Sequence, residues 1–211
     1  MTPSSTAVQR EPLLKPVPVK ELRPTQITVG MREVALKRQM IRAQSVKKTG
    51  TFLGTHMVPA VLGPKGRHYV TDHHHLARAL IEEGVKDVLV TVISDLSGLD
   101  KDAFLFVLDN RGWMHPFDEN GQRRDYAAIP KTIAELVDDP YRSMAGELRR
   151  LGGYAKDTTP FAEFIWADFL RRRITKDEVT KDFDKAMKEA LALAKGKNAD
   201  YLPGWCGPTS D

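Results

Sequence analysis

The chain has 211 residues, of which 41% are hydrophobic and 28% charged, and a formal net charge of +4. A chain of this length buries roughly 70% of its unfolded surface, so it needs no disulfide or metal staple. Its single cysteine, Cys206, excludes an internal disulfide and a cysteine-based zinc site.

No run approaches the ~18 apolar residues of a membrane span, and the first residues lack the apolar core of a signal peptide. The expectation is a cytoplasmic protein with no membrane association. The mild positive charge permits a phosphate-bearing partner without demanding one.

Residues 1–15 are rich in Pro, Ser and Thr and predict a disordered tail. "PVPVKEL" then reads as a short edge strand, because Pro16 and Pro18 exclude a central one. "RPTQITVG" reads as a loop. Val34, Leu36, Met40, Ile41 and Val46 give an apolar face to a helix from Met31 to Lys48. Gly50 and Gly54 follow its end. A hairpin should run from Met57–Leu62 through Gly63-Pro64-Lys65-Gly66 into Arg67–Thr71.

A helix over Leu76–Glu83 stops at Gly84. "DVLVTVIS" is a strand by its β-branched content, and "LDKDAFLFVLDNRG" is helical. From Ile129 onward everything reads as helix, with one long helix over "TKDEVTKDFDKAMKEALALAKGK". The organisation expected is a tail at 1–15, an α/β core at 16–110, and a helical part at 111–211 packed on that core.

The most conspicuous motif is "HYVTDHHHLARAL", which places three of the six histidines in a row between a strand and a helix. A helix N-terminus carries unpaired N–H groups and a partial positive charge, so it can hold an anion. Asp72 is the candidate N-cap. His73, His74 and His75 would aim donors at a phosphate and could exchange protons near neutral pH. Adjacent helical residues diverge by about 100°, so three helical histidines do not converge on one metal ion; two could join Asp72 or His56 in an irregular turn, and one could simply pack or hydrogen-bond inside.

A second candidate is Glu33, which shares a helix face with Lys37. Spacing alone makes that an exposed ion pair. Arg149-Arg150 and Arg171-Arg172-Arg173 could touch a nucleic-acid backbone, or could be solvated helix faces. Trp113 and Trp166 read as core residues.

The stretches "LRPTQITVGMREV", "VTDHHHLARAL", "DNRGWMHPFDENG", "DDPYRSMAGELRRLGGYAK" and "FAEFIWADFLRRRI" resemble the ParB/sulfiredoxin superfamily, most closely its branch of ParB-like nucleases. The resemblance spans nearly the whole chain from Val17 to about Gly204. It implies an α/β fold with a small mixed sheet and a helical C-terminal extension. In that superfamily the strand-turn-helix motif cradles nucleotide phosphates. By resemblance His73, His74 and His75 are the phosphate-cradle residues, and Glu33 stands where some relatives place an acidic catalytic group. The loop from Gly50 to His56, with Gly54 and His56, would close over the same pocket, and Arg142 and Lys156 are candidates for its wall.

The chain also departs from that pattern. ParB proteins have Gly-Glu-Arg-Arg, and the free-serine kinase branch has Gly-His-His-Arg, where this chain has Asp72-His73-His74-His75. A glycine that lets backbone approach phosphate and a bidentate arginine are both replaced. Asp72 adds negative charge, which a divalent ion such as Mg²⁺, held by Asp72 and Glu33, would offset. The sulfiredoxin cysteine is absent, which excludes that chemistry.

The expected function is therefore a ParB-like nuclease or a nucleotide-dependent phosphoryl-transfer enzyme, with His73, His74 and Glu33 as catalytic candidates. A kinase acting on a small hydroxyl acceptor and a non-catalytic module binding nucleotide or DNA are the alternatives.

Overall fold

The structure is a computed structural model that describes residues 16–43 and 57–208. The expectations for residues 1–15, for the helix beyond Ala43, and for Gly54 and His56 lie outside the described residues.

The fold is α/β. Its principal sheet has four strands in the order β1-β5-β3-β4. These are β1 (Pro16–Pro18), β3 (Val58–Gly63), β4 (Arg67–Val70) and β5 (Asp87–Asp95). β3 runs antiparallel to β4 and parallel to β5, and β1 pairs antiparallel along the outer side of β5. The prolines of β1 sit on an edge strand, where a missing N–H costs no ladder bond.

The crossover from β4 to β5 is helix α2 (His74–Glu82), which packs beside α1 (Met31–Arg42) on one face of the sheet. Val34 and Ile41 of α1, Leu76 and Leu80 of α2, and Val58, Ala60, Val70, Val88 and Val90 of the sheet form one core. α3 (Lys101–Asn110) covers the other face, where Phe104 and Leu108 meet Val61 and Tyr69. A second apolar cluster lies among α4 (Pro140–Arg150), α5 (Ala162–Arg171), α6 (Lys176–Lys181) and α7 (Phe183–Lys195), with Trp166 fully buried in it. Asp139 caps α4 by accepting from Tyr141 N at 3.0 Å, with Pro140 at the first helical position.

Several local readings are corrected. The supposed loop before α1 contains a short strand, β2 (Thr28–Val29), paired in parallel with β6 (Val137–Asp138). β6 lies in a stretch read as helical. There the Thr132–Glu135 capping box supports only the single 3-10 turn Ile133–Glu135, after which Leu136 is extended. Helix α2 begins at His74 rather than Leu76. The long C-terminal helix is broken at Asp182, which leaves helical backbone (φ −149°, ψ 86°) and caps α7 by accepting from Lys185 N at 3.0 Å.

Candidate functional site

Asp72 is not the N-cap of α2. Its Oδ1 accepts from the adjacent His73 N at 2.6 Å, too local a bond to reach the second or third helical amide. His73 is the N-cap, in left-handed backbone (φ 66°, ψ 25°) and without a side-chain cap bond. Its Nδ1 is buried and finds no hydrogen-bond partner among the described residues. A left-handed histidine is uncommon, and such backbone concentrates at sites that need it.

The other two histidines are committed to the backbone. His74 is 4% exposed, and its Nε2 accepts from Thr25 N at 3.2 Å. His75 Nε2 accepts from Gly30 N at 2.9 Å. A ring nitrogen that accepts an N–H bears no proton, so in both rings Nδ1 carries it. Burial, reinforced by the positive charge of Arg142, lowers His74 to about 3 and holds His75 well below its ordinary value. Both are neutral at pH 7. They pin the start of α2 to the chain just before β2 and α1.

The geometry around Gly30 explains why this junction is tight. A Cβ on Gly30 would lie 2.6 Å from Ser143 N and Oγ of α4, so only glycine lets the start of α1 reach α4. Side chains around that approach accept from the first amides of α1: Met31 N donates to Asp138 Oδ1 at 2.8 Å and Arg32 N to Ser143 Oγ at 3.2 Å.

Glu33 faces a different place. Its two carboxylate oxygens accept from both terminal nitrogens of Arg150, at 2.5 and 2.7 Å, and the group lies against Gly146. It lines a cavity of about 570 Å³ between α1, α4 and α7. Asp72, His74 and His75 instead line a separate cavity of about 390 Å³ between the start of α2, α4 and the start of α5. The fold does not bring Asp72 and Glu33 to one point, and no group of three or more His, Cys, Asp or Glu converges as metal ligands among the described residues. With Glu33 held bidentate by an arginine, this donor set does not fit a divalent ion.

The residue that stands out in the smaller cavity is Arg142. It is 4% exposed, yet its Nε and Nη1 make no hydrogen bond among the described residues. The guanidinium lies 3.4 Å over the ring of Phe164, and His115 stacks on that ring at 3.8 Å. Two groups that close to one centroid occupy opposite faces, so Phe164 is clamped and holds the guanidinium plane. Its nearest counter-charge is Glu163, with Oε2 3.6 Å from Nη2, beyond hydrogen-bonding distance. Arg149 and Lys156 add positive charge to the same wall. A buried guanidinium with unspent donors is costly, because desolvation is not offset by pairing.

The opposite wall is the start of α5, entered through Phe161, again left-handed (φ 60°, ψ 24°) and without a side-chain cap. The two uncapped, left-handed helix starts of α2 and α5 thus flank one cavity floored by Arg142. Arg142 and Lys156 were visible in the sequence only through the resemblance. Phe164, His115 and Glu163 were missed, and no local signal marks them, since each matters through its neighbours in space.

The other basic clusters make internal ties, although Arg171 Nε is buried without a partner among the described residues. Arg150 binds Glu33 and Glu147, Arg171 binds Asp139 and Asp168, and Arg172 binds Asp168. Arg173 lies 3.8 Å over Phe169. No helix among the described residues is long and apolar enough to cross a membrane.

Comparison with known proteins places this architecture. The chain is similar to protein Atu1540 from Agrobacterium tumefaciens, whose crystal structure matches at a TM-score of 0.88 and 53% identity, over 93% of this chain and 98% of that one. No curated protein matches the chain. The family model described as "Putative ParB-like nuclease" matches residues 15–172, which include every residue lining the Arg142 cavity. The chain therefore belongs to the ParB-like family which that description names.

Proposed function

We propose that the chain binds and acts on a phosphate ester, a nucleotide or a nucleic-acid end, in the cavity floored by Arg142. The observation that carries this reading is the buried guanidinium with unbonded Nε and Nη1. Arginine presents its donors in a fixed fork suited to phosphate oxygens, and a phosphate there would supply the pairing that the protein does not.

In this reading Arg142 holds the phosphate, with Arg149 and Lys156 adding charge. His74 and His75 act as neutral Nδ1–H donors rather than as bases, since both are already deprotonated at neutral pH. Asp72, exposed at the rim, is the carboxylate placed to take a proton from an attacking water or hydroxyl. Glu33 has no part, because Arg150 occupies it. Family membership supports phosphodiester cleavage as the reaction, with nucleotide-dependent phosphoryl transfer as its close relative.

A non-catalytic binding module is the second reading. It is favoured by the two histidines being committed to backbone amides, which leaves few groups free to move protons.

The test is a thermal-shift screen with inorganic phosphate, ATP, CTP and a short 5′-phosphorylated DNA, each with and without Mg²⁺, followed by product analysis. A ligand at 100 times its dissociation constant adds about 2.7 kcal/mol. A shift that disappears in Arg142→Gln is expected. Product that disappears in Asp72→Asn selects catalysis, and a shift without product selects the binding module. Wild-type protein unmoved by every probe would contradict the reading.

A further inference from the structure

We infer that Glu163 is a built-in competitor for the anion, a carboxylate that sets how strongly charged a ligand must be to enter the Arg142 cavity. This rests on the anion reading above and adds a residue that controls selectivity.

Glu163 lies in the first turn of α5, and its carboxylate leans on both arginines of the opposite helix. Oε1 is 2.5 Å from Arg149 Nη1, and Oε2 is 3.6 Å from Arg142 Nη2. The carboxylate is therefore bonded to the outer arginine, whose side chain is 38% exposed, and only leans toward the inner one, 5% exposed. It lines the same cavity as Arg142 without hydrogen-bonding to the Arg142 donors.

The charges lining the cavity are balanced while Glu163 stays. Asp72, Asp157 and Glu163 offset Arg142, Arg149 and Lys156. Removing the Glu163 charge from the site leaves the cavity net positive. Its side chain is 28% exposed, so the carboxylate keeps contact with solvent as well as with the two arginines. A dianion such as phosphate can outcompete it for two arginines, whereas a weakly held monoanion such as acetate cannot.

A carboxylate in the first turn of a helix is also a common helix-stabilising device. The two roles give opposite results. Phosphate and acetate are titrated calorimetrically into full-length wild type, E163Q, R142Q and the double variant. Glutamine keeps the size of the side chain and an acceptor for Arg149. As a competitor, Glu163 predicts that E163Q binds phosphate about tenfold tighter or more, because a full negative charge beside two arginines is gone. Acetate should gain enough to become measurable, and the gain should vanish in the double variant.

Wild type that binds phosphate while a folded E163Q binds it no tighter overturns this inference alone. Binding by neither protein overturns the anion reading with it. Should E163Q fail to fold, E163D withdraws the carboxylate by one methylene, and a smaller tightening is expected. No tightening there overturns the inference equally.

Discussion

The Asp72–His75 junction and the Arg142 wall face each other across one cavity, and they use their polar atoms in opposite ways. At the junction two ring nitrogens are spent on the backbone: Thr25 and Gly30 donate into Nε2 of His74 and His75, and burial keeps both rings neutral. At the wall the donors are unspent: Arg142 is as buried as His74 but bonds to nothing among the described residues, held by stacking on Phe164. A buried polar group that is satisfied by backbone serves the fold. One that is left open in a cavity destabilises the fold, and it is the group on which the proposed anion site rests.

That contrast can be broken most severely by exchanging the two kinds of loss. His74→Ala leaves the Thr25 amide buried without an acceptor and opens a void, so unfolding stability should fall by about 2–4 kcal/mol in denaturant titration. Arg142→Met keeps the volume and removes a poorly paired charge, so stability should be unchanged or higher by about 1–4 kcal/mol while phosphate binding is lost. A large stability loss in Arg142→Met would mean that the guanidinium is structural after all.

The pH dependence of stability sharpens the same point. His74 and His115 have folded values of about 3, lowered first by burial, against an ordinary value near 6.5. Between these values the unfolded chain takes up protons that the folded chain refuses, so stability rises with pH through that window. It is fully present above pH ~6.5 and falls on the order of 1 kcal/mol per pH unit per histidine as pH drops toward 3. Urea titrations at pH 7, 6 and 5 should show this decline, reduced in His74→Gln. A flat profile would mean that the rings are not buried neutral.

The smallest effect belongs to Glu33. Its pair with Arg150 is partly exposed on the arginine side, so Glu33→Gln should cost only about 0.5–1 kcal/mol and leave phosphate affinity unchanged. A loss of affinity would return Glu33 to the site.

Much of this architecture is legible in the sequence because it depends on short-range pattern. The prolines of β1 announce an edge, the β-branched run of β5 announces a strand, and "VTDHHHLARAL" announces a strand-to-helix junction. The misread stretches depend on partners far along the chain. Thr28–Val29 becomes a strand only because Val137–Asp138 lies beside it, and Val137 reads as helical until that pairing is seen.

The site divides in the same way. The histidine triplet is conspicuous by its repetition, but nothing local says that Thr25 and Gly30 will engage Nε2 of His74 and His75. Arg142 looks like one basic residue of an amphipathic helix. It acquires meaning only when α5 folds over it and places Phe164 and Glu163 against it. The resemblance to ParB-like proteins pointed to the junction, which lines the same cavity as Arg142, the residue with open donors.

The most direct measurement is a nuclear magnetic resonance titration that follows arginine Nε–H signals as inorganic phosphate is added to ¹⁵N-labelled protein, with Arg142→Lys used to assign the Arg142 signal. A saturable shift of that signal, with His74 ring nitrogens keeping their neutral tautomer throughout, is the expected result. A phosphate-dependent shift confined to other arginines, or protonation of His74 on binding, would contradict the division of roles between wall and junction.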